Sequence, residues 1–262
     1  NFQDYPQAIK VQVETGYNTH KRLLESEPKG IWLPECAYFP GLSDVLSKYD
    51  LRYFFLDTHG IVHATPQPLY GVYAPIYTPS GVAAFGRDPE SSKQVWSSVE
   101  GYPGDFSYRE FYRDIGYDLD FNYIKEFIHT DGIRISTGLK YYKISGKVEL
   151  SRKELYNPEI ALNKSAEHAG NFMLYREKQV EFLRDKLVRE PIIVGTYDTE
   201  LFGHWWFEGP DWLYYLVKKI HFDQKTFKLA TASDYLAEHP VNQMASPHLS
   251  TWGNKGYREV CI

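Results

Sequence analysis

The sequence predicts an α/β fold built on a parallel sheet, and three observations lead there. Two short apolar runs end in a carboxylate. Ile31-Trp32-Leu33-Pro34 runs into Glu35, and Ile192-Ile193-Val194-Gly195 leads through Thr196 and Tyr197 to Asp198. Runs of this length that are apolar throughout read as strands buried on both faces. Stretches of helical periodicity separate them, and strands alternating with helices imply βαβ units.

Taken in order, Ile9, Val13, Tyr17 and Leu24 fall mostly at helical spacing, so residues 8–24 are expected as a helix. Residues 31–33 are too few and too β-prone for a helix, and Pro34 ends any ladder. Residues 42–49 read as a short helix with Ser43 as N-cap, and residues 52–56 as a further strand. From 66 to 105 the rhythm breaks, with Pro, Gly, Tyr and Ser spread throughout; such a stretch is functional or disordered. Its Tyr70, Tyr73, Tyr77 and Phe85 argue against disorder. A long charged helix is expected over 155–189, stopping before Pro191. The strand at 191–195 follows, then a helix over 211–221 started by Pro210, and a strand over 227–231. A last helix, capped by Ser233, halts before Pro240.

At 262 residues the chain can bury a full core in one domain, or at most two small ones. A net charge of −5 gives no general attraction to nucleic acid or anionic lipid. Cys36 and Cys261 are too few for a disulfide framework, and the His residues are scattered, so no metal and no other cofactor is expected. No apolar run approaches a membrane span and no signal-peptide pattern opens the chain, which leaves the cytosol as the default compartment.

The chemistry lies at the strand ends. Substrates of open α/β sheets and barrels bind at the carboxyl ends of the strands. Glu35 and Asp198 both stand there, among Trp, Tyr and Phe. Aromatic faces stack on sugar rings while carboxylates act as acid, base or nucleophile, which points to carbohydrate chemistry. The bland alternative is an N-cap Asp and a loop Glu beside core tryptophans. Glu200 and Glu208 rival Asp198 for the acid role. Trp32 reads almost equally as core or as a sugar platform, and His204 either binds a hydroxyl or packs under Trp205. Arg109 and Arg113 either clamp a catalytic carboxylate or form plain salt bridges.

The long motifs are more selective. WLPECAYFPG (from Trp32) and YDTELFGHWWFEGP (from Tyr197) resemble two characteristic regions of glycoside hydrolase family 57. Between them, RYFFLDTHG (from Arg52), FGRDPESSKQVWSSVEGYPGD (residues 85 to 105) and YREFYRDIG (residues 108 to 116) are similar to its α-1,4-glucan branching branch. So is the end, from Ser250-Thr251-Trp252-Gly253 to Val260.

The resemblance implies an incomplete (β/α)7 barrel, here a fragment lacking the first strands and the C-terminal helical region. Residues 1–240 would be the partial barrel, with a lid-like insertion at about 66–105 hinged at Gly81 and Gly86; residues 241–262 would begin a C-terminal region. It implies Glu35 as nucleophile and Asp198 as acid/base, with Glu200 in support. An α-1,4-glucan is the implied partner. Trp32, Asp57, His59, Trp96, Asp105, Tyr117, His204, Trp205 and Trp252 are the implied substrate contacts. The implied reaction is branching; 4-α-glucanotransfer or hydrolysis by the same pair, or mere glucan binding, are the alternatives. Two departures bear on that choice: Cys261 stands where the branching pattern has Trp, and Tyr117 where it has a larger aromatic.

Overall fold

In the computed structural model, which describes residues 5–97 and 99–253, the first two expected strands pair in parallel. Helix α1 (Pro6–Leu24) leads to β1 (Gly30–Trp32), and α2 (Leu42–Ser47) leads to β2 (Tyr53–Leu56). After α3 (Thr58–Val62) come β3 (Ile76–Tyr77) and β4 (Ala83–Gly86). The sheet order is β1-β2-β4-β3, parallel except for the antiparallel edge pair β3–β4. Next are α4 (Pro89–Trp96), α5 (Ile115–Asp118), α6 (Phe121–Ile124), α7 (Pro158–Lys186), α8 (Gly209–Phe222) and α9 (Ala232–Glu238). Among the described residues no helix is long and apolar enough to cross a membrane.

Several expectations are corrected. The stretch read as lacking clear elements holds β3, β4 and α4, and β4 lies between β2 and β3 with Ala83, Ala84 and Phe85 fully buried. Its strand was hidden because Ala-Ala-Phe-Gly carries no β-branched residue. Gly81 makes the tight β3–β4 turn at φ 81°, and Gly86 is walled in, since a Cβ there would meet Val72 at 2.8 Å. Residues 191–195 join no ladder; Ile192 N donates to Tyr73 O and Asp88 N to Val194 O, single bonds rather than a repeated register. Residues 227–231, expected as a strand, form none. Gln224 captures Phe227 through both its N–H and its C=O, and the Thr231 N–H goes to Asp234, so side chains take the groups a ladder needs. Gly41, not Ser43, is the N-cap of α2. Thr231, not Ser233, caps α9, in a reciprocal capping box with Asp234.

The chain divides into two compact units. The first takes the described residues up to Pro89, Leu183–Thr196 and those from Leu229 onward; the second takes Glu90–Phe182 and Tyr197–Lys228. In the first, Phe54, Leu56, Ile61 and Ala84 form the middle of a core over which α2 lays Leu42 and Leu46. α1 adds Ile9, Val13 and Tyr17 to its edge.

The second unit packs α7 with α8. Ala161, Ser165, Ala169, Phe172, Arg176 and Val180 form one buried stripe of α7, stepping by three or four as a helix must. Trp212, Leu216 and Ile220 do the same on α8. Trp206 and Trp212 fill the centre with ring centroids 5.4 Å apart.

A carboxylate organises the loops of this unit. Asp114 is buried and accepts from Gly116 N (2.9 Å), Thr137 N (2.9 Å), Thr137 Oγ1 (2.8 Å), Ser136 Oγ (3.0 Å) and Gly138 N (2.8 Å). Burial opposes its charge, but these donors, the Thr137 and Gly116 amides foremost, outweigh it and hold the carboxyl well below the usual carboxylate range. A carboxyl lowered on folding contributes stability that is complete above the unfolded value of about 4 and is lost as pH falls toward the folded one. Asp114→Asn should cost about 3 kcal/mol at pH 7 and a smaller amount at pH 3, read from denaturant unfolding at both pH values.

Candidate active site

β1 delivers Glu35. Pro34 stops the ladder, and the chain turns through Pro34–Cys36 with Glu35 (φ 56°, ψ 23°) and Cys36 (φ 49°) both left-handed. For residues with a Cβ this costs roughly 1–2 kcal/mol each, and it persists only where the surroundings impose it.

Here the imposing segment is the stretch of chain after α9. Residues 243–245 run beside β3 through Tyr77, Ser250 and Tyr38 exchange backbone bonds at 2.8 and 3.2 Å, and the next residues reach Glu35. Its carbonyl accepts from Trp252 N (3.0 Å) and Thr251 Oγ1 (2.8 Å), and its carboxylate accepts from Trp252 Nε1 at 2.8 Å. Trp32 meets Trp252 edge-on at 5.0 Å and donates its indole N–H to Cys36 Sγ at 3.0 Å. Glu35 itself stays exposed, and both tryptophans are half-buried.

The neighbouring strands add their own carboxyl-end residues. Asp57 follows β2, lies 3.3 Å from His59 Nδ1 and 3.7 Å from an Arg87 nitrogen. Arg87 follows β4, and its guanidinium lies over the Trp252 ring at 5.1 Å from the centroid. Three parallel strands thus bring Glu35, Asp57 with His59, and Arg87 to one end of the sheet, where ligands of such sheets bind. Thr196, just after residues 191–195, lies beside the Cys36 thiol.

Burial pushes that thiol up to about 11, with the Trp32 N–H and the Arg87 charge pulling the other way. Cys36 should therefore resist iodoacetamide at pH 8 in the native protein and react on unfolding. Peptide mass mapping checks this, and native labelling would contradict the burial.

Asp198 belongs to the second unit. It stands at the N-cap position of the 3-10 turn Thr199–Leu201, yet its side chain makes no cap bond. The two tryptophans that follow divide: Trp206 is core at 2% exposure, whereas Trp205 is 50% exposed and stacks on Phe111 at 4.4 Å. His204 is exposed and edge-on both to Phe111 at 5.3 Å and to Trp205 at 5.4 Å.

Of the rival acids, Glu200 is exposed and Glu208 is walled off at 2% exposure, accepting from Arg109 N at 3.0 Å. Burial raises the Glu208 carboxyl, and the Arg109 amide opposes that. Inaccessible to solvent, Glu208 serves the packing of the second unit. Arg109 lies 3.5 Å from the Phe207 ring centroid and Arg113 pairs with Asp118, so both have structural partners within their unit.

The remaining expected contacts lie in the second unit. Tyr117 is exposed on α5. Trp96 is half-buried against the unit's core. Asp105 accepts from Ser107 N at 2.8 Å and lies 3.6 Å from His168 Nε2, which in turn neighbours the Tyr108 hydroxyl through Nδ1. Cys261 lies outside the described residues.

Arg87, Thr196 and Phe111 were not anticipated. Arg87 sits in the quoted motif FGRDPE, but its place is visible only once β4 is recognised as a strand. Phe111, in YREFYRDIG, gives no periodic signal of its partnership with Trp205.

Residues 3–248 match the sequence profile described as Glycosyl hydrolase family 57. A 1,4-alpha-glucan branching enzyme of Thermococcus kodakarensis is 34% identical over 260 residues, covering 89% of this chain and 35% of that protein. The crystal structure of the alpha-amylase AmyC from Thermotoga maritima superposes with TM-score 0.90 at 46% identity, covering 96% of this chain and 49% of that one. The branching enzyme from Pyrococcus horikoshii gives TM-score 0.79 at 30% identity, covering 96% and 45%. The chain thus spans between a third and a half of the length of these relatives. With nearly its whole length matched by the profile and by these relatives, the chain belongs to glycoside hydrolase family 57.

Proposed function

We propose that this chain carries the catalytic pair of a retaining α-1,4-glucan transferase that forms 1,6 branches. The observation that carries the reading is Glu35: an exposed carboxylate at a strand's carboxyl end, held in a strained backbone by Thr251 and Trp252. Strain kept at such a position belongs with function more often than with packing.

In the proposed mechanism Glu35 attacks the anomeric carbon while Asp198 protonates the departing O4. The resulting glycosyl-enzyme passes its chain to a 6-hydroxyl, with Asp198 now acting as base. Trp252 steers the nucleophile through its indole N–H, and Arg87 and His59 hold Asp57 in place at the same end of the sheet. Trp205 and Tyr117 present accessible faces for stacking on glucose rings; Trp96, packed on the core, offers less. The sheet is read as part of the incomplete (β/α)7 barrel.

Hydrolysis is the second reading, favoured by the 46% identity to an alpha-amylase and by Cys261 in place of Trp. Linear amylose treated with the full protein decides between them by proton NMR. New 1,6 signals with little gain in reducing ends are expected. Rising reducing ends without 1,6 signals would replace transfer by hydrolysis, and redistributed 1,4 chains would mean disproportionation.

A further inference from the structure

At the opposite, amino-terminal ends of the same strands the first unit holds a cavity of about 520 Å³. The chain entering each parallel strand lines it: Lys29 before β1, Arg52 before β2 and Val82 before β4, with Ser233 and Ala237 of α9 on the far wall. β2 and β4 are four residues long, so at about 3.3 Å per residue roughly 13 Å of sheet separates this cavity from the end bearing Glu35, Asp57 and Arg87. Phe54 and Ala84 are fully buried between the two ends, so the cavity is not an extension of the candidate active site.

Its chemistry is two-sided. On one side Asp50, itself left-handed at φ 53°, lies 3.4 Å from Lys29 Nζ and 3.5 Å from an Arg52 nitrogen, and Glu27 lies 3.5 Å from Lys29. Lys29 and Arg52 share the one lining carboxylate, Asp50, while Glu27 stands outside the lining and also pairs with Lys21 at 3.0 Å, so this rim offers both donors and an acceptor. On the other side stands the Tyr53 ring, which lies across Gly30 so closely that a Cβ there would meet it at 2.0 Å.

A free anion would have to compete with Asp50 for both cations, and an apolar ligand would strand the charges. A neutral ring with one apolar face and a belt of hydroxyls satisfies both walls, and the volume falls within the ordinary range for small-molecule sites, about 300–1,000 Å³. We propose that this cavity is a second glucan site that holds one or two glucose units and tethers polymeric substrate away from the reacting bond. It rests on the reading of the protein as glucan-acting.

The test uses the full protein with Arg52→Ala and Ala237→Trp, the first removing a donor and the second filling the cavity from an exposed helix position. Affinity gel electrophoresis in glycogen should show retention weakened about tenfold or more in each, the loss expected when one of two linked sites goes. kcat/KM on maltoheptaose should not change. Wild-type retention in both variants, with turnover intact, overturns the second site and leaves the proposed function standing. Weakened retention in a protein that turns over no glucan overturns the proposed function and keeps the site. Release of glycogen from the wild type by inorganic phosphate, with the two variants insensitive, overturns the neutral-sugar assignment.

Discussion

Glu35→Gln in the full protein should lower glucan turnover by about 10⁴-fold or more, the scale of losing a covalent nucleophile, with the fold unchanged. The side chain is exposed and its carboxylate takes one bond, from Trp252 Nε1 at 2.8 Å, which the glutamine carbonyl also accepts. Stability should therefore move by no more than about 0.5 kcal/mol. The stereochemistry of rescue separates a nucleophile from a merely structural carboxylate. In Glu35→Gly, azide has room to attack the anomeric carbon of an activated α-maltosyl fluoride in place of the carboxylate. The expected product is the β-azide, with configuration inverted, because one displacement replaces two. Wild-type turnover of Glu35→Gln on amylose, or no rescue by azide, removes Glu35 from the mechanism.

Asp198→Asn should cost about 10²–10⁴-fold on amylose, the range for general acid–base catalysis. The loss should depend on the leaving group. Amylose needs a proton on O4 as the bond breaks, whereas fluoride departs without one. With α-maltosyl fluoride the first step therefore survives, and the glycosyl-enzyme accumulates because no base deprotonates the acceptor. Intact-protein mass spectrometry should show that adduct, and digestion should place it on Glu35. Azide added to the variant should release the α-azide, of retained configuration, opposite to the Glu35→Gly product. Equal losses on amylose and on the fluoride would take the acid role away from Asp198. Glu200 would then be the next residue to test, since Glu208 is enclosed at 2% exposure.

How much of this was legible beforehand depended on whether the signal was local. Helices α1, α7 and α8 show in their apolar spacing, and Pro210 marks the start of α8 within a residue or two. β1 and β2 are apolar throughout and end at Pro34 and Asp57, so their existence and the strand-end place of Glu35 could be read directly. β4 could not. Ala-Ala-Phe-Gly is a central strand because β2 and β3 flank it, not because its residues prefer one. With β4 unseen, Arg87 had no strand end to belong to. The converse error occurred at residues 191–195 and 227–231, where strand-like composition is present but the backbone groups are taken singly or by side chains.

By itself the sequence determined the α/β class, the family, the helix spacing and which carboxylates stand after apolar runs. Each is written in residues close together in the chain, or in motifs long enough to be distinctive. Tertiary structure alone decided what surrounds those carboxylates. Trp252 reaches Glu35 from 217 positions away. Trp205 is exposed while its neighbour Trp206 is core, a division set by which ring faces Trp212 and which faces Phe111. Glu208 and Glu200 differ in the same way, one enclosed and one exposed. Exposure and long-range hydrogen bonds depend on how distant segments pack, and packing leaves no periodic mark on a single stretch of chain.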